Sequence, residues 1–280
     1  MQKPERKSIA LKDLELNFSH WEKTKDLVDQ FIDIILNYRQ SGHPGGSRSK
    51  VHMLLSLLLS GEMRYDIREP AKRFSDKFVL GCGHTIPLIY ATLAVLNEAM
   101  RARYEETGDE KYLIKNENER ALYWEDLLTF RRRDGLSGHA ESEGKTLFLK
   151  ANTGPSGHGS PAAAGLALGL KRAGADGVRV FIFEGEGGLT PGSTHETLNS
   201  AWGLALDNLF FMVDWNDFGI DDHSLSTIVY GSPEDWFGSH GWWVTGTEKG
   251  SEWKTVADTL LRLCDHGKPE NNPDRVPQMA

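Results

Sequence analysis

Apolar residues recur at helical spacing between Trp21 and Tyr38, at Leu27, Phe31, Ile34, Ile35 and Tyr38, which predicts a helix with one greasy face. Ser41-Gly42-His43-Pro44-Gly45-Gly46 breaks it, and a second helix runs through VHMLLSLLLS, apolar enough to be core. KFVL at 77–80 predicts a short strand, the turn Gly81-Cys82-Gly83-His84 follows, and residues 86–104 predict another helix. Residues 105–121 are charged and weakly periodic, as in an exposed connection. Beyond LLTFRRRDGLSGHAE the pattern becomes regular: glycine turn NTGPSGHG, Ala/Leu/Gly helix, strand VRVFIF, glycine turn, helix STHETLNSAWGLA, strand LFFMVD. GWWVTG predicts a further strand, WKTVADTLLRLCDH a helix, and PDRVPQMA stands where one more strand is expected to begin. Strands that alternate with helices predict an α/β fold with a mainly parallel sheet flanked by helices. Ligands of such sheets gather beyond the carboxyl ends of the strands. Residues 1–20 predict a polar lead-in, and 21–280 the folded body.

Bulk properties narrow the function. With 280 residues, 39% of them hydrophobic, the chain can bury a sizeable core. A net charge of −8 argues against nucleic acid as a partner. The one basic run, Arg131-Arg132-Arg133, is expected to be a solvated face. Two cysteines, Cys82 and Cys264, give no disulfide framework and fit a reducing, cytoplasmic setting. The longest greasy stretch, Met53 to Ser60, is too short to cross a membrane, and MQKPERKSIALKDLELN has no apolar signal core. Five tryptophans in the second half (Trp202, Trp215, Trp236, Trp242 and Trp243) are expected to be mostly core, with one or two left to cover a neighbour-facing surface.

The glycine turns hold the candidate chemistry. In GPSGHG, Gly154 to Gly159, glycine lets backbone approach a ligand, and the helix N-terminus behind it offers free N–H groups suited to a phosphate or diphosphate. A tight cap on a close-packed helix needs the same residues. Glu186 follows one strand and Asn216 the next, and the segment between them has room for one helix. Neighbouring parallel strands would therefore put both side chains at one end of the sheet, where two hard oxygens suit magnesium. A cap on the following helix for Glu186 and a turn at Asn216 would account for them without a metal. His43, His84 and His139 each sit beside glycine at an element end, as in a polar pocket that binds phosphate or moves protons. Their spacing is too wide for a local zinc motif.

Taken in order, these segments resemble the N-terminal, diphosphate-binding domain of transketolases from about residue 20 to 260. SGHPGG resembles that family's first glycine-histidine loop and KFVLGCGHTIPLIYATL its strand-histidine-helix segment. LSGHAE resembles its glycine-histidine-proline-glutamate turn, NTGPSGHG its diphosphate loop, and GEGGLTPGSTHE with DWNDFGIDD its thiamine diphosphate signature. The resemblance implies a thiamine diphosphate-binding fold and transfer of a two-carbon ketol unit between sugar phosphates. It implies that Glu186, Asn216 and the Phe218 carbonyl hold Mg2+ (or Ca2+), and that Gly154, Gly187 and His84 approach the diphosphate. His43 and His139 would face the hydroxyls of the sugar donor in catalysis, and Glu196 would lie near a subunit contact. A cytoplasmic homo-oligomer is expected, with neither nucleic acid nor membrane as partner.

Several positions depart from the family pattern. Glu186 stands where an aspartate is expected; its extra methylene matters because magnesium demands near-ideal geometry. Pro191 stands where the family often has an acid used across a dimer. The second domain, which binds the aminopyrimidine ring, has no room after residue 217. A fragment, or the N-terminal subunit of a split enzyme that needs a pyrimidine-binding C-terminal partner, is therefore expected. Two alternatives stay open. One is another thiamine diphosphate enzyme, of the 1-deoxyxylulose-5-phosphate synthase or 2-oxo acid dehydrogenase type. The other is a catalytically degenerate binding subunit.

Overall fold

A computed structural model describes residues 9–175, 177–219 and 223–280. Its α-helices are α1 (Leu11–Glu15), α2 (Phe18–Arg39), α3 (Pro44–Ser49), α4 (Val51–Leu59), α5 (Pro87–Thr107), α6 (Glu117–Arg120), α7 (Trp124–Leu127), α8 (Gly159–Arg172), α9 (Gly192–Gly203) and α10 (Trp253–His266). The strands are β1 (Lys77–Leu80), β2 (Val180–Gly185), β3 (Leu209–Asp214), β4 (Trp243–Val244) and β5 (Gln278–Met279). They form one sheet in the order β1-β2-β3-β5-β4, with every pairing parallel.

The strand sequences explain why this sheet is a middle layer. Side chains alternate faces along a strand. Phe181, Phe183, Phe210 and Met212 point into a cluster with α2, α4, α5 and α10, whereas Val180, Ile182, Leu209, Phe211 and Val213 point into a second cluster with α8 and α9. Both faces are covered, so the strands read as continuous apolar runs rather than alternating ones. α2 turns Trp21, Val28, Ile32 and Ile35 inward, and it ends where Gln40 takes a left-handed φ of 49°. The helix starts at Phe18 and, with α1 before it, places Leu14 in the core; Lys254 of α10 pairs with Glu15.

Two expectations need revision and a third is met. GWWVTG supplies only the two-residue β4, and β5 inserts between it and β3, so the strand expected near residue 280 forms the centre of that half of the sheet. Of the five clustered tryptophans Trp242 is buried, donating its indole N–H to the Leu198 carbonyl at 3.0 Å, Trp215, Trp236 and Trp243 pack half-buried against the core, and Trp202 is left 55% exposed, as expected. The arginine run is solvated only in part. Arg133 is solvent-exposed beside Asp134 at 3.8 Å, but Arg132 bonds the Tyr38 hydroxyl at 2.7 Å, and Arg131 turns back to Ser41 at 2.5 Å, beside the first histidine loop.

Candidate active site

Strand register decides which loops meet. Leu80 pairs with Phe183, Phe183 with Met212, and Gly185 with Asp214, so the carboxyl ends of β1, β2 and β3 lie side by side. Residues 81–84, 186–189 and 215–218 therefore leave the sheet as neighbours, and the 153–158 loop joins them before α8. Glycine permits this crowding. A Cβ on Gly159 would lie 2.4 Å from the Gly81 Cα, and one on Gly83 would lie 2.6 Å from the Thr153 carbonyl. Gly157, at a φ of 79°, is left-handed as well as crowded by Pro191, whose Cγ lies 2.7 Å from where a Cβ would be. The Thr153 hydroxyl locks the loop to β1 by donating to the Leu80 carbonyl at 2.5 Å.

Two groups of predicted residues form here. The first is Glu186, Gly187, Asn216 and Phe218. Glu186 opens the turn after β2 and is 3% exposed, yet neither carboxylate oxygen has a hydrogen-bond partner among the described residues. Burial pushes its pKa up to about 7; the nearby Asp217 and Asn216 backbone N–H groups pull the other way, and the Asp214 and Asp217 charges add to the rise. Glu186 and the peptide of Asn216 are thus neighbours. The Asn216 Oδ1 accepts from the Phe218 N–H at 2.9 Å, which keeps the 216–218 turn tight. Asp217 takes a left-handed φ of 60° and accepts from the Ser226 N–H at 2.7 Å, drawing the following loop back so that Leu225 comes within 4.0 Å of where a Gly187 Cβ would be.

The second group is histidine-rich. The rings of His43, which caps α3, and His84, in the turn after β1, meet edge to face at 4.9 Å between centroids. Burial lowers the His84 pKa to about 4, helped by His43, Lys50 and His139; burial, then Arg131 and His139, lowers that of His43. Both are therefore neutral at physiological pH. His139 lies against Gly154, whose Cβ would be 3.6 Å from its ring, and the two line a shallow cavity of about 570 Å3 with Glu141, Asn152 and Thr153. A larger cavity of about 730 Å3 opens on the other side of the β3 tip, sharing Asp214 and Asn216 but none of the histidines. Glu196 is exposed on α9, away from these contacts, and Pro191 is the residue before that helix.

Sequence reasoning missed the polar groups beneath these loops. Lys50, 3% exposed, donates to Asp214 Oδ2 at 2.9 Å and to the Gly46 carbonyl at 3.3 Å. Ser49 Oγ donates to the same Asp214 oxygen at 2.5 Å, and Asn216 Nδ2 at 2.9 Å. Glu184, 1% exposed, fits only because Gly81 and Gly188 lack side chains: a Cβ on either would lie 2.3 Å from one of its carboxylate oxygens. Burial raises its pKa to about 7 against the pull of the Gly185 N–H and Lys50. Burial by itself would lower the pKa of Lys50; Cys82, Asp214 and Glu184 outweigh it, so the shift is upward and the ammonium stays charged. Both cysteines are buried, and burial lifts the Cys82 thiol to about 11, which leaves it unreactive.

Among the described residues no three His, Cys, Asp or Glu side chains are arranged to hold a metal ion. A set made of one carboxylate, one amide oxygen and one backbone carbonyl is of a different kind. Glu186 fits such a set, because a buried carboxylate without partners is costly unless a cation or donor satisfies it. No helix among the described residues is long and apolar enough to cross a membrane.

The profile of the family described as transketolase, thiamine diphosphate binding domain, matches residues 112–270. An apulose-4-phosphate transketolase subunit from Actinobacillus succinogenes is 28% identical over 256 residues, 89% of this chain and 80% of its own length. The transketolase of Halalkalibacterium halodurans is 28% identical over 84% of this chain, which spans only 33% of that relative. The human transketolase is 32% identical over 65% of this chain, which spans 25% of it. Among solved structures, a transketolase variant from Pichia stipitis superposes with a TM-score of 0.75 over 93% of this chain and 35% of its own, at 22% identity. The Leishmania mexicana transketolase gives 0.70 over 92% and 36%, at 24% identity. At these identities the likeness to solved structures establishes the fold.

Proposed function

Because this chain belongs to the family of transketolase thiamine diphosphate binding domains, we propose that its strand-tip site holds the diphosphate end of thiamine diphosphate through a divalent metal. We further propose that, with a pyrimidine-binding C-terminal partner, it transfers two-carbon ketol units between sugar phosphates. The observation that supports this most is Glu186: a buried carboxylate with neither oxygen hydrogen-bonded among the described residues, one strand away from Asn216. Glu186, the Asn216 side-chain oxygen and the Phe218 carbonyl would hold the metal, Mg2+ or Ca2+. Gly154, Gly187 and His84 would border the diphosphate. The cofactor, when bound, supplies a carbanion that adds to the donor carbonyl and a ring that then accepts electrons.

What the chain itself does follows from the site. The glycines of the 81–84 and 153–159 segments let these loops pack closely on their neighbours and would let backbone approach the ligand. Neutral His84 can donate a hydrogen bond to a diphosphate oxygen without bringing a charge that burial would oppose. His43 and His139 would take the donor's hydroxyls, His43 held neutral and so able to accept a proton and to donate a hydrogen bond. Dimerisation and a cytoplasmic location are part of the same proposal, as is a domain spanning 21–280. The similar transketolase subunit of Actinobacillus succinogenes favours a two-subunit assembly, since this chain spans 80% of it.

A second reading is favoured by one observation. Pro191 packs on Gly157 where an acid is expected, and a chain that has lost that acid and lengthened its metal carboxylate would serve as a binding subunit without catalysis. Titration calorimetry with Mg2+ and thiamine diphosphate, followed by a ketol-transfer assay with the partner added, separates the two. Metal-dependent heat together with turnover supports the first reading, and heat without turnover supports the second. A flat titration of the assembled pair defeats the cofactor site itself.

A further inference from the structure

Lys50 lies at the junction of α3 and α4, directly after the His43 loop, and its ammonium is the buried cation between that loop and the β3 tip. It reaches the Gly46 carbonyl on one side at 3.3 Å and Asp214 on the other at 2.9 Å. Positions for a Cβ on Gly46 and on Gly185 both lie 3.9 Å from it, and the Gly46 position is equally far from His84 Nε2. The loops of His43, His84 and Glu186 thus surround one nitrogen. Asp214 passes the constraint on. The oxygen that accepts from Lys50 and Ser49 also accepts from Asn216 Nδ2 at 2.9 Å, which fixes which edge of the Asn216 amide carries nitrogen and leaves Oδ1 on the opposite edge.

We propose that Lys50 is a positioning residue that ties the His43 loop to the strand tip bearing Asn216, so that one buried ammonium sets both the amide offered to the metal and the histidines beside it. The inference rests on the proposed metal–diphosphate site and adds to it a residue outside the ligand set. Groups that orient metal ligands through hydrogen bonds commonly change metal affinity roughly 10- to 100-fold when removed. Lys50→Met keeps the apolar stem and removes the donor.

The test titrates Mg2+, with thiamine diphosphate present, into the full chain and its variants by calorimetry, and follows the imidazole proton resonances of His43 and His84 in parallel. In the unsubstituted chain both resonances shift on binding. Lys50→Met weakens Mg2+ binding roughly 10- to 100-fold and uncouples the His43 shift, while the unliganded far-UV spectrum is unchanged. Ser49→Ala, which removes an exposed donor to the same carboxylate, weakens binding only a few-fold and keeps the fold should Lys50→Met not fold. Lys50→Met that binds with unchanged affinity, or Ser49→Ala without effect where Lys50→Met is unfolded, overturns the inference and leaves the metal site standing. An unsubstituted chain that binds neither ligand overturns the metal site first, and the inference with it.

Discussion

Gly159→Ala and Gly165→Ala are the same substitution in the same helix, and the structure gives them opposite signs. A Cβ on Gly159 would sit 2.4 Å from the Gly81 Cα and 3.3 Å from its nitrogen. Gly81 has little freedom to retreat, because its N–H donates to the Phe183 carbonyl at 2.7 Å and Glu184 fills the space on its other side. α8 must therefore move by about 1 Å to restore ordinary van der Waals contact, and such overpacking costs about 1–3 kcal/mol. Gly165 is exposed near the middle of α8, a Cβ there meets nothing within 4 Å, and alanine gains about 1 kcal/mol over glycine in a helix interior. Urea denaturation should show Gly159→Ala destabilised and Gly165→Ala stabilised. Calorimetry with Mg2+ and thiamine diphosphate should show weaker binding only for the first, because α8 carries the 153–158 loop with it. Equal shifts for both, or a Gly159→Ala chain as stable as the original, would show that the loop is not held by that contact.

Three further outcomes are expected. His84 has a folded-state pKa of about 4 against an ordinary 6.5, so the unfolded chain binds the proton more readily. Its stabilisation is complete above about pH 6.5 and is lost as pH falls toward 4, by up to roughly 3 kcal/mol before solvent screening reduces it; urea curves across that window should flatten in His84→Gln. Glu186→Gln should abolish the Mg2+-dependent heat and leave the far-UV spectrum intact, and metal binding that survives it would remove Glu186 from the ligand set. Asp76→Ala should cost about 3–5 kcal/mol in urea denaturation, since this fully buried carboxylate accepts from the Arg64 N–H at 2.8 Å and the Arg179 N–H at 2.9 Å.

What could be read in the sequence was local. The runs KFVL, VFIF and LFFMVD are strands because two helical layers need apolar side chains on both faces, and that demand shows in the residues themselves. Glycines mark the close loops for the same reason, since each removes a clash between neighbouring segments. Lys50 was not legible. In SRSKVHMLL it looks like a polar residue at a helix start, and its acids, Asp214 and Glu184, lie far along the chain. Only the pairing of β2 with β3 and the packing of α4 bring them within reach of one nitrogen. Arg131 escaped in the same way, because a run of three arginines reads as solvent-facing until tertiary contact turns one of them toward Ser41.

The two ends of the sheet treat buried acids differently, and the difference bears on function. Asp76, just before β1, is 0% exposed and accepts from two backbone amides and from the Arg64 guanidinium. At the other end Glu186 is almost as buried and neither side-chain oxygen makes a hydrogen bond among the described residues, while Glu184 beneath it keeps one oxygen without a partner there. The chain has donors for a buried carboxylate where only folding is at stake. Burial raises the pKa of Glu186 to about 7 against the pull of the nearby Asp217 and Asn216 backbone N–H groups, and an acid so poorly satisfied weakens the fold locally. Such a sacrifice is expected where the missing partner arrives with a ligand, and a cation brought by a diphosphate has the charge and the hard-acid character that this carboxylate lacks. Lys50, already engaged with Asp214, does not satisfy it. The unmet acid and the engaged lysine therefore divide the site into a part that waits for the ligand and a part that holds the waiting part in place.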